Sequence, residues 1–179
     1  MKRQQMMFIA IALLMVLVAG CSALVSRKSE SNITQYDAFE LVGKGTQTYE
    51  CKPNPKSEDP NQFIWTAPVP ARPKADLFDS KGNKVGTHYM GPTWESDADH
   101  SKVVGSALAQ APAPKADADI PWVFLGVKST EGTGMFSKVK SIQRVNTEGG
   151  KAPAGACDPN APALAVDYTA TYLFLAAKP

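Results

Sequence analysis

Along most of this chain apolar side chains return at every second position. The clearest case is the C-terminal stretch, where Leu164, Val166, Tyr168, Ala170, Tyr172 and Phe174 alternate with Ala165, Asp167, Thr169 and Thr171. A period of two sends one set to a buried face and the other to water, which predicts a long amphipathic strand. Ala75–Asp79 and Val85–Tyr89 flank Ser80-Lys81-Gly82-Asn83-Lys84, whose Gly-Asn pair can supply the positive φ of a hairpin turn. Further strands are predicted at 47–52, 62–67, 102–109 and 120–128. The run Ile120–Leu125 is apolar at both parities, so it is expected centrally between two layers, with Pro121 at its start where a missing N–H is tolerated. In 138–146 the spacing of Val139, Ile142 and Val145 is helical, but the β-branched content favours a strand broken by a bulge. Beyond the N-terminal segment, only Tyr36–Leu41 otherwise hints at a helix. Prolines gather in 53–73, 111–121 and 153–162, which read as loops. The sum predicts an all-β fold, a sandwich or small barrel of mostly antiparallel strands.

The N-terminus has a different pattern. Lys2-Arg3 is followed by an apolar run from Met6 to Val18 and then Ala19-Gly20-Cys21. These are the parts of a secretory signal, and the run is shorter than the roughly 20 residues needed to cross a bilayer as a helix. The pattern resembles a bacterial lipoprotein signal, which implies cleavage before Cys21 and acylation of its thiol. Three acyl chains, at about 0.8 kcal/mol per buried CH₂, would hold such a protein on its membrane. Ser22 follows where an Asp would retain a Gram-negative lipoprotein at the inner membrane, so the expected address is the outer membrane, facing the periplasm. The expected organisation is a signal peptide at 1–20, a lipidated polar tether at 21–35 and a single β domain at 36–179.

Charge and cysteine content narrow the function. Removing residues 1–20 takes away Lys2 and Arg3 and no acid, bringing the 19 Lys and Arg down to parity with the 17 Asp and Glu. A neutral domain without a basic run is not expected to bind nucleic acid. With Cys21 acylated, Cys51 and Cys157 remain as a pair in an oxidising compartment, which predicts a disulfide.

Three separated blocks carry a family resemblance: Gly86-Thr87-His88-Tyr89-Met90-Gly91-Pro92-Thr93-Trp94-Glu95, Ile120-Pro121-Trp122, and Ser141 through Pro153 with Arg144, Asn146 and Gly149-Gly150. With Tyr49-Glu50-Cys51 before them and Cys157 after, the chain resembles, over about residues 45–176, the secreted bacterial and fungal family known as domain of unknown function 3455. The resemblance implies an exported β-rich domain whose motif residues surround one site, and no established activity. The chain departs from it at Asp97-Ala98-Asp99-His100-Ser101, where His100 stands in place of a usual glycine.

His88 is one of two histidines. It reads either as an acid–base or ligand partner of Glu95, with Asp97 as a further acid, or more economically as a histidine bonded to backbone beside a loop. His88 with Met90 is a weak copper pattern, and a structural zinc site lacks ligands. Arg144 can clamp a carboxylate or phosphate, or serve a structural bond inside the protein. Gly149-Gly150 can form an anion-receiving nest or a plain turn. Trp65, Trp94, Trp122 and Tyr89 offer aromatic faces. Trp122 is expected in the core and Trp94 at the surface. Nucleotide-binding and nucleophile-elbow motifs are absent. The expectation is a non-enzymatic envelope module that binds a small molecule, glycan or protein through His88, Trp94, Glu95 and Arg144, with no cofactor. The alternative is an envelope hydrolase or metal-dependent protein using His88 and Glu95.

Overall fold

The structure is a computed structural model that describes residues 36–177. The predicted signal at 1–20, Cys21 and the tether lie outside the described residues. Nine strands follow in chain order: β1 (Tyr36–Pro53), β2 (Phe63–Thr66), β3 (Pro73–Phe78), β4 (Lys84–Tyr89), β5 (Thr93–Ser96), β6 (Lys102–Ala111), β7 (Trp122–Glu131), β8 (Val139–Gly149) and β9 (Leu164–Ala177). Neighbours pair antiparallel from β3 through β9, and β1 pairs with both β3 and β9. The sheet therefore closes on itself as an eight-stranded barrel, with β2 outside the ring on the far end of β1. Of the two expected architectures, this is the barrel.

The alternation read from the sequence is the barrel wall. Tyr168, Ala170, Tyr172 and Phe174 of β9 are buried inside. In β3 the pattern is carried by Pro73, Ala75 and Leu77 inward, with Lys74 and Asp76 outward. The β3–β4 hairpin turns through Gly82 at φ 82°, and the Asp79 carboxylate accepts the Lys81 and Asn83 amides. The expected interruption of 138–146 takes the form of two register shifts in β8, at Val139/Ser141 and Val145/Glu148.

Two expectations are corrected and one unanticipated strand is added. Tyr36–Leu41 is not helical but opens β1, the longest strand. Its inward positions include Gly43, where a Cβ would lie 2.6 Å from the Tyr172 ring. The missing side chain is the room that Tyr172 occupies, and small residues here hid the strand pattern. Ile120–Leu125 does not sit between two layers, because a barrel wall has one interior. Leu125 is buried, while Phe124 on the other face is 40% exposed and Trp122 is only half-buried. Finally, Thr93–Ser96 forms β5, a strand too short for alternation to announce.

The antiparallel order sorts the connections. Segments 79–83, 97–101 and 132–138 lie at one end of the barrel with Tyr36 and Ala177, and 90–92, 112–121 and 150–163 at the other. The first end is plugged. Phe136 packs at 5.1 Å from Phe174 and 6.0 Å from Phe39, and Phe39 stacks on Phe174 at 4.9 Å. The plug is pinned by polar bonds: the Phe136 amide donates to Ser101 Oγ, and the Met135 amide to Asp99 Oδ2. Hydrogen bonds from Ser101 and then Met135 hold the Asp99 carboxyl down at about 2. At the other end Cys51 and Cys157 form the expected disulfide, with Cα atoms 5.9 Å apart. The Cys157 amide also donates to the Phe63 carbonyl, so β2 and the 153–162 loop are fastened together.

Candidate functional site

The hairpin β4–β5 decides what the first motif block can do. Its register places His88 opposite Trp94 and Thr87 opposite Glu95. Directly paired residues share a face of the sheet and successive ones do not. His88 and Trp94 therefore enter the barrel, and Glu95 leaves it. His88 is 3% exposed and Trp94 1%, their rings stacked at 4.4 Å and nearly parallel. The Tyr172 ring meets both edge-on, at 5.1 and 5.4 Å. Trp94, expected at the surface, is thus among the most buried side chains of the protein.

His88 Nδ1 lies 2.8 Å from the Thr93 carbonyl oxygen. A carbonyl only accepts, so Nδ1 carries the proton and Nε2 is left as an acceptor. Burial, reinforced by the positive charge of Arg144 and opposed by the Thr93 bond, pushes the imidazole down to about 3. It is neutral at physiological pH.

Glu95 sits in a separate cluster on the outer face. It accepts a 2.8 Å hydrogen bond from the Tyr89 hydroxyl, and Lys102 Nζ and His100 Nδ1 lie 3.6 and 3.7 Å away. The Tyr89 bond, followed by the nearby cations, lowers its carboxyl. Burial and that same bond raise Tyr89 to about 12. Asp97 is exposed, 3.9 Å from Lys84. The barrel wall therefore separates His88 from Glu95 and Asp97, and these three do not converge on one reacting atom. Met90 lies past the end of β4 and is 51% exposed, so it does not share the interior with His88. Among the described residues no group of three or more His, Cys, Asp or Glu is placed to hold a metal ion.

Arg144 does point inward. It pairs with Val123 on β7 and with Tyr172 on β9, and its Nε and Nη2 both donate to the Pro121 carbonyl at 3.2 and 2.8 Å. Nearby, Thr147 Oγ1 donates to the Ile120 carbonyl and the Gly149 amide to Asp119 Oδ1. The second and third motif blocks are thereby knitted together. Gly149 and Gly150 adopt φ of 71° and 79°, and the anion received there is the protein's own Asp119 carboxylate.

His88, Trp94 and Arg144 meet around a cavity of about 680 Å³ at the unplugged end of the barrel. Gln47, Leu125 and Tyr172 complete its inner wall, and the 69–73 loop and the Gly91-Pro92 corner form part of its rim. Of the four residues expected to make the site, three are brought together and Glu95 is not. Gln47 was not anticipated, although the signal was there: it holds an inward position of β1, between Gly45 and Tyr49, where the strand pattern calls for an apolar residue.

No curated protein and no solved structure gives a significant match to this chain. One family model matches, over residues 32–176, a span that takes in all three motif blocks, both disulfide cysteines and the inner wall of the cavity. The chain belongs to the family described as Protein of unknown function (DUF3455).

Proposed function

We propose that this protein is a non-enzymatic binding module of the cell envelope that takes one small organic molecule into the open end of its barrel. The observation that carries this reading is the cavity itself. Its volume of about 680 Å³ lies within the ~300–1,000 Å³ range of small-molecule sites, and its wall has their usual make-up of aromatic surface with a few polar groups. A recessed interior favours a small molecule over a glycan chain or a protein surface. The separation of His88 from Glu95 speaks against the hydrolase alternative.

Titration of the full-length protein with the neutral dye N-phenyl-1-naphthylamine tests this. Saturable fluorescence enhancement at one site per chain, with a rise in Tm, is expected. Linear, non-saturating enhancement without a Tm shift would reject it.

The envelope address is part of the same proposal and rests on the sequence around Cys21. Radiolabelled palmitate should be incorporated into the wild-type chain and not into Cys21→Ser. Equal labelling of the two would remove the anchor from the proposal.

A further inference from the structure

The charge inside the cavity is one-sided. Arg144 on the inner wall and the exposed Lys128 at the edge are cations, and among the described residues no Asp or Glu lines the space. The acids of the neighbouring strands, Asp76, Glu95, Glu148 and Asp167, belong to the outer face. Among the described residues no carboxylate lies within ion-pair distance of Arg144. Its hydrogen-bond partners are neutral, the Pro121 carbonyl and the neighbouring Tyr172 hydroxyl. A part-buried guanidinium without a counter-charge is an unusual resident for a barrel interior, because burying a charge costs several kcal/mol unless it is paired.

The donors around it are in surplus too. Gln47 Nε2 and Trp94 Nε1 are buried without an acceptor, and both residues line the same cavity. Buried N–H groups without partners are rare in native proteins. Here the two residues that carry them line the same cavity as an unneutralised guanidinium. A ligand that brings negative oxygen atoms would supply the counter-charge that Arg144 lacks. Arginine's planar fork, with five N–H donors of which only some are spent on Pro121, suits a carboxylate in particular. Leu125, Pro92 and the Trp94 and Tyr172 rings offer the rest of the molecule an apolar bed.

We infer that the ligand is an organic acid whose carboxylate is held by Arg144 and whose apolar body lies against the aromatic wall. This rests on the cavity being a binding site and adds the chemical class of its occupant.

Competition against N-phenyl-1-naphthylamine distinguishes the two claims. Octanoate and 1-octanol share their chain and differ in the head group. On the full-length wild type at fixed ionic strength, octanoate should displace the dye at a concentration at least about tenfold lower than 1-octanol, the advantage expected of a charge-assisted clamp. In Arg144→Gln the dye should still bind, reporting an intact cavity, and the octanoate advantage should disappear. Lys128→Gln should reduce it only slightly, since that charge is solvent-exposed. Equal displacement by acid and alcohol on the wild type would overturn the inference while leaving the dye site standing. The same holds for an octanoate advantage that persists in a folded Arg144→Gln. Failure of the dye to bind the wild type would remove both claims. The wild-type comparison decides the matter even if Arg144→Gln proves unstable.

Discussion

Protonation of His88 should govern the acid stability of this barrel. The imidazole ordinarily titrates near 6.5 and is held down to about 3 by burial, with the Arg144 charge adding to the effect and the Thr93 bond opposing it. Between those values the unfolded chain carries a proton that the native state refuses. Unfolding therefore takes up a proton, and stability falls as pH drops through this window by about 1.4 kcal/mol per pH unit. Integrated from about pH 7 to about pH 4.5, the loss from this one side chain is about 2–3 kcal/mol, a large share of the stability of an ordinary domain. Carboxylates begin to titrate at the lower edge of the window, so the comparison is differential. Urea unfolding of the wild type and of His88→Asn, whose amide can still donate to the Thr93 carbonyl, isolates the contribution. The variant should be the less stable at neutral pH, having lost the ring stacked on Trp94. That gap should shrink by about 2–3 kcal/mol at the lower pH. A gap that stays constant between the two conditions would refute the argument, because it would mean that the native imidazole protonates as readily as the unfolded one.

Two further outcomes follow from the backbone. Replacing Cys51 and Cys157 by Ser should lower stability by about 4–5 kcal/mol, the chain-entropy value for a loop of the observed 106-residue separation; a urea midpoint unchanged under oxidising conditions would contradict it. His100→Gly should raise stability by about 0.5–1 kcal/mol, because His100 sits at φ 56° and its exposed pairing with Glu95 contributes little. An unaltered or lowered Tm for that variant would show that the turn gains more from the side chain than it loses in backbone strain.

The resemblance and the strand pattern carried the reading a long way, and the places where it failed have one physical cause. Alternation identifies a strand only when bulky and polar residues take turns for several positions. β9 does this, so its inward set could be read directly. The middle of β1 does not, because Gly43 and Gly45 stand at inward positions. β5 is too short for any period. Its register against β4 then decided everything about the site, since a shift of one residue exchanges the two faces of a strand. His88 and Glu95 lie close in sequence across a tight corner, and nothing in their spacing says whether they share a face. Only the pairing of His88 with Trp94 settles that, moving Trp94 inside and Glu95 out. Arg144 was legible as a candidate anion ligand, but its lack of a counter-charge is a property of the assembled interior and is written in no local motif.

The barrel is sealed by its first strand against its last, from Tyr36 beside Ala177 to Tyr49 beside Leu164. Contacts so remote along the chain form late and slowly, since the loop between them must be closed before they contribute anything. A chain emerging from its N-terminus would keep one edge of β1 open until nearly the whole sequence had appeared, and could not shield Trp94, Tyr172 or Arg144 before then. Truncation from the C-terminus should accordingly leave no smaller barrel behind, only an unpaired strand edge of the kind that invites aggregation.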